Sequence, residues 1–337
     1  MSGALRVRTT HGQQMTDNTQ VLGISNAIVD VLAHIEDSFL QKIGAPRGSM
    51  TLIDEQRAHE IYAMMGPAVE MSGGSVANTV AGFANLGGHA AYIGKVKNDQ
   101  LGNIFMHDMQ SLGIDIRLQP ASDGASTARC HVLISPDGQR TLQTYLGACL
   151  SLDIGDITAS AVGAPKLMLL EGYIFDTPHG QAAAAEAMRL ASTNGTVVAL
   201  SLSDSFCVER HQQAFLDAIR KRVRMVFANE AEIIALTDSA DFDEAVEKIR
   251  EFEGLFVLTR SEKGSVVVNG QETVVQRADK VDKVVDTTGA GDAYTAAFLY
   301  GWAQGKTLQE CAALGSRCAA AVIQQVGGRL EKGVLDD

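Results

Sequence analysis

The stretch DTTGAGDAYTAAFLYGWAQG (Asp286–Gly305) places two glycines, an alanine and an aspartate directly before an apolar run of helical length. The residues KVVD predict the end of a strand, so a strand-to-helix junction is expected here. Ligands of open α/β sheets bind where strands end and helices begin. Gly289, Ala290 and Gly291 would leave backbone N–H groups uncovered at the positive end of the helix dipole, which predicts a binding site for an anion.

Asp292 follows these three residues and falls in the first turn of the predicted helix. A carboxylate beside a bound phosphate is a poor ligand, but it can take the proton from an alcohol that attacks phosphorus. The alternative is an aspartate that only caps the helix or balances its dipole. Because that alternative leaves the surrounding glycines unexplained, we predict that Asp292 is a general base.

Short apolar runs alternate with amphipathic stretches of helical length along the rest of the chain. This alternation predicts an α/β fold in which a doubly wound, mostly parallel sheet carries helices on both faces. The predicted strands are VLGIS, AAYIG, KLMLLEG, TVVALSL, RMVFA, LFVLT and GSVVVN. The predicted helices begin near Ser75, Asp99, His179, His211, Glu230, Asp241, Gly289 and Thr307.

Two segments, residues 45–54 and 127–147, lack an intervening helix and predict β-ribbons. The second contains the turn Pro136-Asp137-Gly138, which is typical of a hairpin. A small β-sheet standing off the main domain would explain both segments, and such a flap serves as a lid. We therefore expect one domain over residues 21–328, with tails at 1–20 and 329–337.

Composition narrows the function classes. A net charge of −12 disfavours nucleic acid as a partner, and 46% apolar residues exclude disorder. No apolar run reaches the length of a membrane span, and the first twenty residues lack a signal-peptide core. The five cysteines form no CxxC pair, which favours reduced thiols and a cytoplasmic setting. Neither GxxxxGK[ST] nor GxGxxG after an early strand occurs, which disfavours P-loop and dinucleotide folds.

Two long motifs resemble those of the ribokinase-like (PfkB-type) carbohydrate and nucleoside kinases. Asp286–Gly301 resembles the C-terminal signature of that family, and SGGSVANTVAGFANLGG (Ser72–Gly88) resembles its N-terminal signature. NEAE resembles the N-x-x-E motif, and TRSEKGS resembles the nucleotide-side loop. The order and spacing match over Val21–Gly328. Within the family, GISNAIVDVLAHIEDSFL, SLSDSF and TLQECAALGSRCAAAVIQQVG are most similar to adenosine kinases.

The resemblance implies an ATP-dependent kinase and a role for each matching residue. Asp292 matches the catalytic base, and Gly289, Ala290 and Gly291 match the anion hole for the transferred phosphoryl group. The sugar-binding positions are Asp30, Gly73, Gly74 and Asn78. Asn229 and Glu232 match the motif that organises Mg²⁺ and phosphate through water, while Thr259, Gly264 and Val285 would line the ATP side. Asp286 and Thr288 match a monovalent-cation site, for which K⁺ is the expected ion.

A nucleoside would also need an apolar slot for its base. Lid residues that could form this slot are Met50, Leu52, Leu133 and Tyr145, and Phe206 and Tyr173 could supply aromatic faces. Core packing is the alternative for each aromatic residue. Met50 departs from the adenosine-kinase pattern, in which a glutamine is expected to contact the base, and a thioether cannot read its polar edge.

Three functions stay open at this point. The first is phosphorylation of adenosine to AMP at the 5′-hydroxyl. The second is phosphorylation of ribose, fructose or a related polyol, which would use the same phosphoryl-transfer residues. The third is a non-catalytic nucleoside or sugar sensor, against which the intact Asp292 argues. The chain could act as a monomer or as a homodimer paired through its lid.

Overall fold

The computed structural model describes residues 18–335, and residues 1–17 of the predicted N-terminal tail lie outside this range. The main sheet contains nine strands. In spatial order they are β14 (Glu272–Gln276), β13 (Ser265–Asn269), β12 (Leu255–Thr259), β11 (Met225–Asn229), β10 (Val197–Ser201), β9 (Leu167–Glu171), β1 (Val21–Ile24), β5 (Ala90–Ile93) and β6 (Asp115–Ile116). All neighbouring strands are parallel except β12–β13 and β13–β14. The predicted mostly parallel sheet is confirmed.

Helices α1 (Asp37–Ile43) and α2 (Glu55–Met64) pack on a second, smaller sheet. The other helices cover both faces of the main sheet: α3 (Ser75–Asn85), α4 (Gln100–Ser111), α5 (Ala159–Val162), α6 (Pro178–Asn194), α7 (Ser205–Lys221), α8 (Glu230–Thr237), α9 (Phe242–Ile249), α10 (Ala290–Ala303) and α11 (Leu308–Val322). Along β9, Met168 and Leu170 pack with α6–α9, whereas Leu167 and Leu169 pack with α3, α4, α10 and α11. Alternate residues of a buried strand thus enter opposite cores, which is why these strands read as continuous apolar runs.

One predicted helix start and one predicted strand are wrong. Helix α7 begins at Ser205, where the Asp204 side chain caps it by accepting from the Cys207 N–H, and not near His211. His211 has a non-helical φ of −125° and marks a kink inside the helix. The predicted strand KVVD is absent, and residues 277–289 form an irregular segment.

The small sheet has five strands in the order β3 (Met50–Leu52), β8 (Arg140–Tyr145), β7 (Ala128–Ile134), β2 (Ile28–His34) and β4 (Val69–Gly73). The predicted ribbons supply β3, β7 and β8. Strands β2 and β4 were not predicted, and only three residues separate β1 in the main sheet from β2 in this one. Asp30 consequently lies within a strand and not at a turn that follows one.

The two faces of the small sheet differ. Leu133 packs with Leu40, Ile43 and Ile61 of α1 and α2, and we call this side the covered face. The opposite side, which carries Asp30, is the open face. Directly paired residues share a face, so the register places these apolar residues on it: Ile28, Leu32, Met50, Val132 and Leu142. Met50 and Leu52 are 55% and 59% exposed there.

No helix among residues 18–335 is long and apolar enough to cross a membrane. The five cysteines are all free and buried, as the reduced state predicts.

Candidate active site

The start of α10 forms the floor of the site. Gly289 is its N-cap with φ 72°, and a Cβ there would collide with the backbone of Gly328. Gly291 differs, because its backbone is helical and nothing lies within 4 Å of the position that a Cβ would occupy. N–H groups in the first turn of a helix have no intrahelical acceptor. The Ala290 N–H donates to the Thr287 carbonyl at 3.3 Å, whereas Gly291 and Asp292 border a cavity, so the amides of these two residues suit an anion.

Asp292 lies in this first turn and is held from α3. Its Oδ1 accepts a hydrogen bond of 2.6 Å from Ser75 Oγ, and the Asn78 side chain also hydrogen-bonds the carboxylate. Burial raises the pKa of Asp292 to about 7, the two hydrogen bonds oppose the shift, and the charge of Asp30 adds to it. A carboxyl group with this pKa can accept a proton near neutral pH.

Helix α3 begins at Ser75, as predicted. Gly74, with φ 97°, occupies the N-cap position, and Ser75 is the first helical residue. Its hydroxyl is therefore free to orient Asp292. A Cβ at Gly74 would press on the carbonyl oxygen of Asn26, which explains the glycine.

Asp30 stands over Gly73 on the open face. A Cβ at Gly73 would collide with the Asp30 carboxylate, so glycine is needed for this approach. Burial raises the pKa of Asp30 to about 6, and the charges of Arg329 and Arg140 oppose that rise. The structure thus brings Asp30, Gly73 and the Asp292 region together, as the sequence predicts.

A cavity of about 760 Å³ opens on the other side of Asp292. Its wall contains the predicted residues Asn229, Glu232, Thr259, Gly264 and Gly291. Val285 is not part of the wall, since its N–H donates to the Ile323 carbonyl and the neighbouring Val284 lines the cavity instead. Sequence reasoning missed the loop and α11 residues that complete the wall: Ala278, Lys280, Val281, Ala319, Ala320 and Ile323.

Asn229 and Glu232 form a reciprocal cap at the start of α8. The Asn229 side chain accepts from the Glu232 N–H, and Glu232 accepts from the Asn229 N–H at 2.9 Å and from its side-chain amide at 2.5 Å. Glu232 is buried, not on a solvated helix start, and burial raises its pKa to about 7. Within residues 18–335, no group of three or more His, Cys, Asp or Glu side chains could hold a metal ion. A Mg²⁺ ion carried largely by phosphate oxygens and water fits this cavity, since it needs only one nearby carboxylate.

Asp286 is engaged by the lid. Its Oδ2 lies 2.6 Å from Arg140 Nη2 of β8, and both side chains are buried. The same carboxylate accepts from the N–H groups of Thr288 at 3.0 Å and Gly327 at 3.1 Å. A guanidinium thus already neutralises the carboxylate to which a monovalent cation was assigned.

The structure separates the predicted base-contacting residues. Met50 and Leu52 lie on the open face with Asp30 and stay candidates. Leu133 is fully buried on the covered face, and Tyr145 lies beneath the Arg129 guanidinium on the same side. The assignment of Leu133 and Tyr145 to a substrate slot is wrong, because the register turns both side chains away from it.

The two aromatic candidates also differ. Tyr173 packs against the main core, and its hydroxyl donates to Asp204 at 2.5 Å, so the core-packing alternative describes it better. Phe206 is 69% exposed at the start of α7 and leaves its ring face uncovered. Neither residue lines the 760 Å³ cavity.

Sequence reasoning also missed Glu171, which ends β9 beside the site. Its buried carboxyl group accepts from the Asn26 N–H at 2.8 Å and the Val76 N–H at 3.4 Å. Burial raises its pKa to about 7. The signal in the sequence was a charged residue closing an otherwise apolar strand, KLMLLEG.

At this junction between the two sheets, Asp292 lies at the start of α10 and borders the 760 Å³ cavity, an arrangement that fits a phosphotransferase acting on an alcohol. The chain belongs to the pfkB family of carbohydrate kinases, whose family model matches residues 50–332. A solved adenosine kinase from Sinorhizobium meliloti is 46% identical, with a TM-score of 0.86 over 95% of this chain and 98% of that one. A probable sugar kinase from Rhizobium etli is 42% identical, with a TM-score of 0.86 over 95% and 97%. The curated adenosine kinase of Saccharomyces cerevisiae is 27% identical over 93% of this chain and 96% of that protein.

Proposed function

We propose that this chain transfers the γ-phosphoryl group of ATP to the 5′-hydroxyl of adenosine, giving AMP. The observation that carries the kinase chemistry is Asp292, whose pKa burial raises to about 7 at the start of an anion-binding helix. Asp292 lies between the 760 Å³ cavity and the open face that carries Asp30. The two substrates would meet at this carboxylate.

Each of the site residues would have a separate role in the reaction. Asp30 binds hydroxyls of the acceptor, and the Gly73–Gly74 backbone allows the sugar to approach. Asp292 takes the proton of the attacking hydroxyl as the new O–P bond forms and the bond to ADP breaks. The N–H groups after Gly289 stabilise the charge that spreads over the phosphoryl oxygens in the transition state.

Asn229 and Glu232 are the residues that would hold Mg²⁺, through water. The ion supplies positive charge that offsets the charge of the phosphates. The Glu232 carboxyl group is buried and accepts two hydrogen bonds from Asn229. These bonds would orient the group before an ion binds. A K⁺ ion at Asp286 and Thr288 would require Arg140 to leave Asp286. Equal turnover in K⁺ and choline buffers would argue against that ion.

The open face supports a nucleoside over a free sugar. Its exposed Met50 and Leu52, with Ile28, Leu32 and Leu142 only partly buried on the same face, offer a surface on which a base can be buried. Burial of apolar area contributes about 25 cal/mol per Å² removed from water, a term that a small polar sugar lacks. The 46% identical adenosine kinase agrees with this choice.

A sugar kinase is the second candidate. Met50 supports it, because a thioether offers the base no polar contact, and so does the 42% identical probable sugar kinase. ADP release measured with adenosine, guanosine, inosine, ribose and fructose tests both. We expect the highest kcat/KM for adenosine, and Phe206→Ala to lower it more for adenosine than for any sugar that reacts. Faster turnover of ribose or fructose would overturn the adenosine assignment and leave the phosphoryl-transfer residues in place.

A further inference from the structure

Arg329 ties the C-terminal segment to the acceptor side of the site. Its Nη1 lies 2.8 Å from Asp108 Oδ2 on α4, and its Nη2 donates to the carbonyl oxygen and, at 2.8 Å, to the hydroxyl of Ser72. Asp108 closes the network by accepting from the Ser72 N–H at 2.9 Å and from its hydroxyl at 2.6 Å. Four hydrogen bonds therefore hold Ser72, the residue that directly precedes Gly73.

The segment around Arg329 also reaches the phosphate side. Gly328 packs against Gly289, the N-cap of α10, so closely that neither position leaves room for a bulky side chain. Gly327 donates its N–H to Asp286. The segment 327–329 thus contacts the start of α10 through the backbone of Gly328. It contacts Ser72 at the end of β4 through the Arg329 guanidinium.

The positive charge of Arg329 acts on the Asp30 carboxylate through a Coulombic interaction. Among the positive charges around Asp30, that of Arg329 lowers its pKa most, followed by Arg140. Other charged or titratable groups in this region include the Cys130 thiol on β7 and Asp292 on α10, with Asp108 on α4 paired to Arg329 and Asp286 paired to Arg140. Loss of the Arg329 charge would favour the protonated form of Asp30, which donates a hydrogen bond where the acceptor hydroxyls need an acceptor.

We propose that Arg329 is a positioning residue for the acceptor: it fixes Ser72 at the end of β4, before Gly73 and Gly74, and holds Asp30 ready to bind the acceptor's hydroxyls beside Asp292. This inference rests on the proposed function, since it takes Asp30 as the acceptor-binding carboxylate. Arg329 itself is not a catalytic residue, because it acts through Ser72 and Asp30.

The test is a comparison of Arg329→Gln and Arg329→Lys with Arg250→Gln as the matched control. Arg250 likewise bridges a carboxylate (Glu247), a carbonyl (Gly270) and a hydroxyl (Thr273), but it does so at the end of α9, away from the site. Arg329→Gln should raise the KM for adenosine by about 10- to 100-fold, the effect of removing 1.4 to 2.8 kcal/mol of binding, with the KM for ATP within about twofold. Arg329→Lys keeps the charge but not the planar fork, so it should recover part of the loss.

A binding measurement without ATP supplies the second readout. The wild-type affinity for adenosine should fall as pH drops through about 6, the folded pKa of Asp30. In Arg329→Gln the fall should begin at higher pH, because the Asp30 pKa rises when the opposing charge is lost. Arg250→Gln should change the melting temperature at most, with both KM values and the pH profile of the wild type.

The outcomes separate the two proposals. Equal increases in both KM values, or a pH profile of adenosine binding that does not shift in Arg329→Gln, would reduce Arg329 to a structural anchor and overturn the inference. If the wild type phosphorylates ribose and not adenosine, the adenosine assignment fails, and the same split measured with ribose tests Arg329. If it phosphorylates no acceptor in the panel, both proposals are overturned.

Discussion

Two glycines at the start of α10, Gly289 and Gly291, should respond differently to replacement by alanine. Gly289→Ala should mainly lower stability, and Gly291→Ala should mainly lower turnover. Gly289 has φ 72°, and a methyl group there would collide with Gly328. A non-glycine residue in the left-handed region costs about 1–2 kcal/mol, and the backbone collision adds to this cost. Gly291 has a helical backbone and open space around it, so alanine there should leave the free energy of unfolding within about 1 kcal/mol of wild type.

For turnover we expect the larger loss in Gly291→Ala, although its stability should be close to that of the wild type. The methyl group of Gly291→Ala would project into the space that the transferred phosphoryl group is proposed to occupy. Alanine keeps the backbone N–H, but the methyl group would hold the phosphoryl oxygens away from the donors; since loss of one such interaction costs about 10²–10³-fold in kcat, Gly291→Ala should be folded and nearly inactive. Gly289→Ala should melt several degrees lower, since each kcal/mol shifts the melting temperature of a large domain by about 2–4 °C.

Gly305 provides the matched control for backbone strain. It lies just beyond the other end of α10 with φ 75°, and nothing is within 4 Å of the position that its methyl group would take. Gly305→Ala should therefore show the cost of the left-handed backbone alone, and the additional loss in Gly289→Ala isolates the collision with Gly328. Thermal melting without ligand and steady-state ADP release are sufficient measurements. Wild-type turnover by Gly291→Ala, or a wild-type melting temperature for Gly289→Ala, would refute the reasoning.

Further predictions concern the base and the lid. Asp292→Asn should lower kcat by about 10²–10⁴-fold and leave the affinity for acceptor, measured without ATP, largely intact; turnover at the wild-type rate would exclude it as the base. Because burial raises the pKa of Asp292 to about 7 and the base must be deprotonated, wild-type kcat should fall as pH drops through about 7, and a flat profile from about pH 8 to about pH 5 would contradict this. Met50→Ala and Leu52→Ala should raise the KM for adenosine with little change in melting temperature. Leu133→Ala should do the reverse, with about 2–5 kcal/mol lost from the free energy of unfolding, and an unchanged melting temperature for Leu133→Ala would show that the covered face is misassigned.

The parts of the site that depend on a short local motif were predictable from the sequence. Asp292 and the residues before it stand in one local motif at a helix start, and the chemistry of each can be argued from its neighbours in the chain, although the strand predicted before them is absent. The motif does not distinguish the two glycines, however. The need for glycine at position 289 comes from the backbone of Gly328, a contact between residues that no local pattern connects.

The lid was harder to predict for a physical reason. Every residue of β7 is buried, so its sequence lacks the alternation that would tell one face from the other. Leu133 and Val132 are equally apolar, yet only Val132 belongs to the open face. Strand β2 escaped prediction because it follows β1 after three residues, and nothing in that short connection signals a change of sheet.

The interleaving of the two sheets has a consequence for how the chain reaches its native state. Strand β2 pairs in parallel with β7, with Ile28 opposite Ala128, and the intervening residues include strand β5 and helix α3 of the main domain. The entropy of closing so long a loop must be met before this pair forms, and contacts between residues far apart in sequence slow folding. The small sheet is therefore expected to complete its pairing only once the main domain has organised the chain between its strands. It cannot be excised as a contiguous fragment, so unfolding of the lid and of the kinase core should be a single cooperative event.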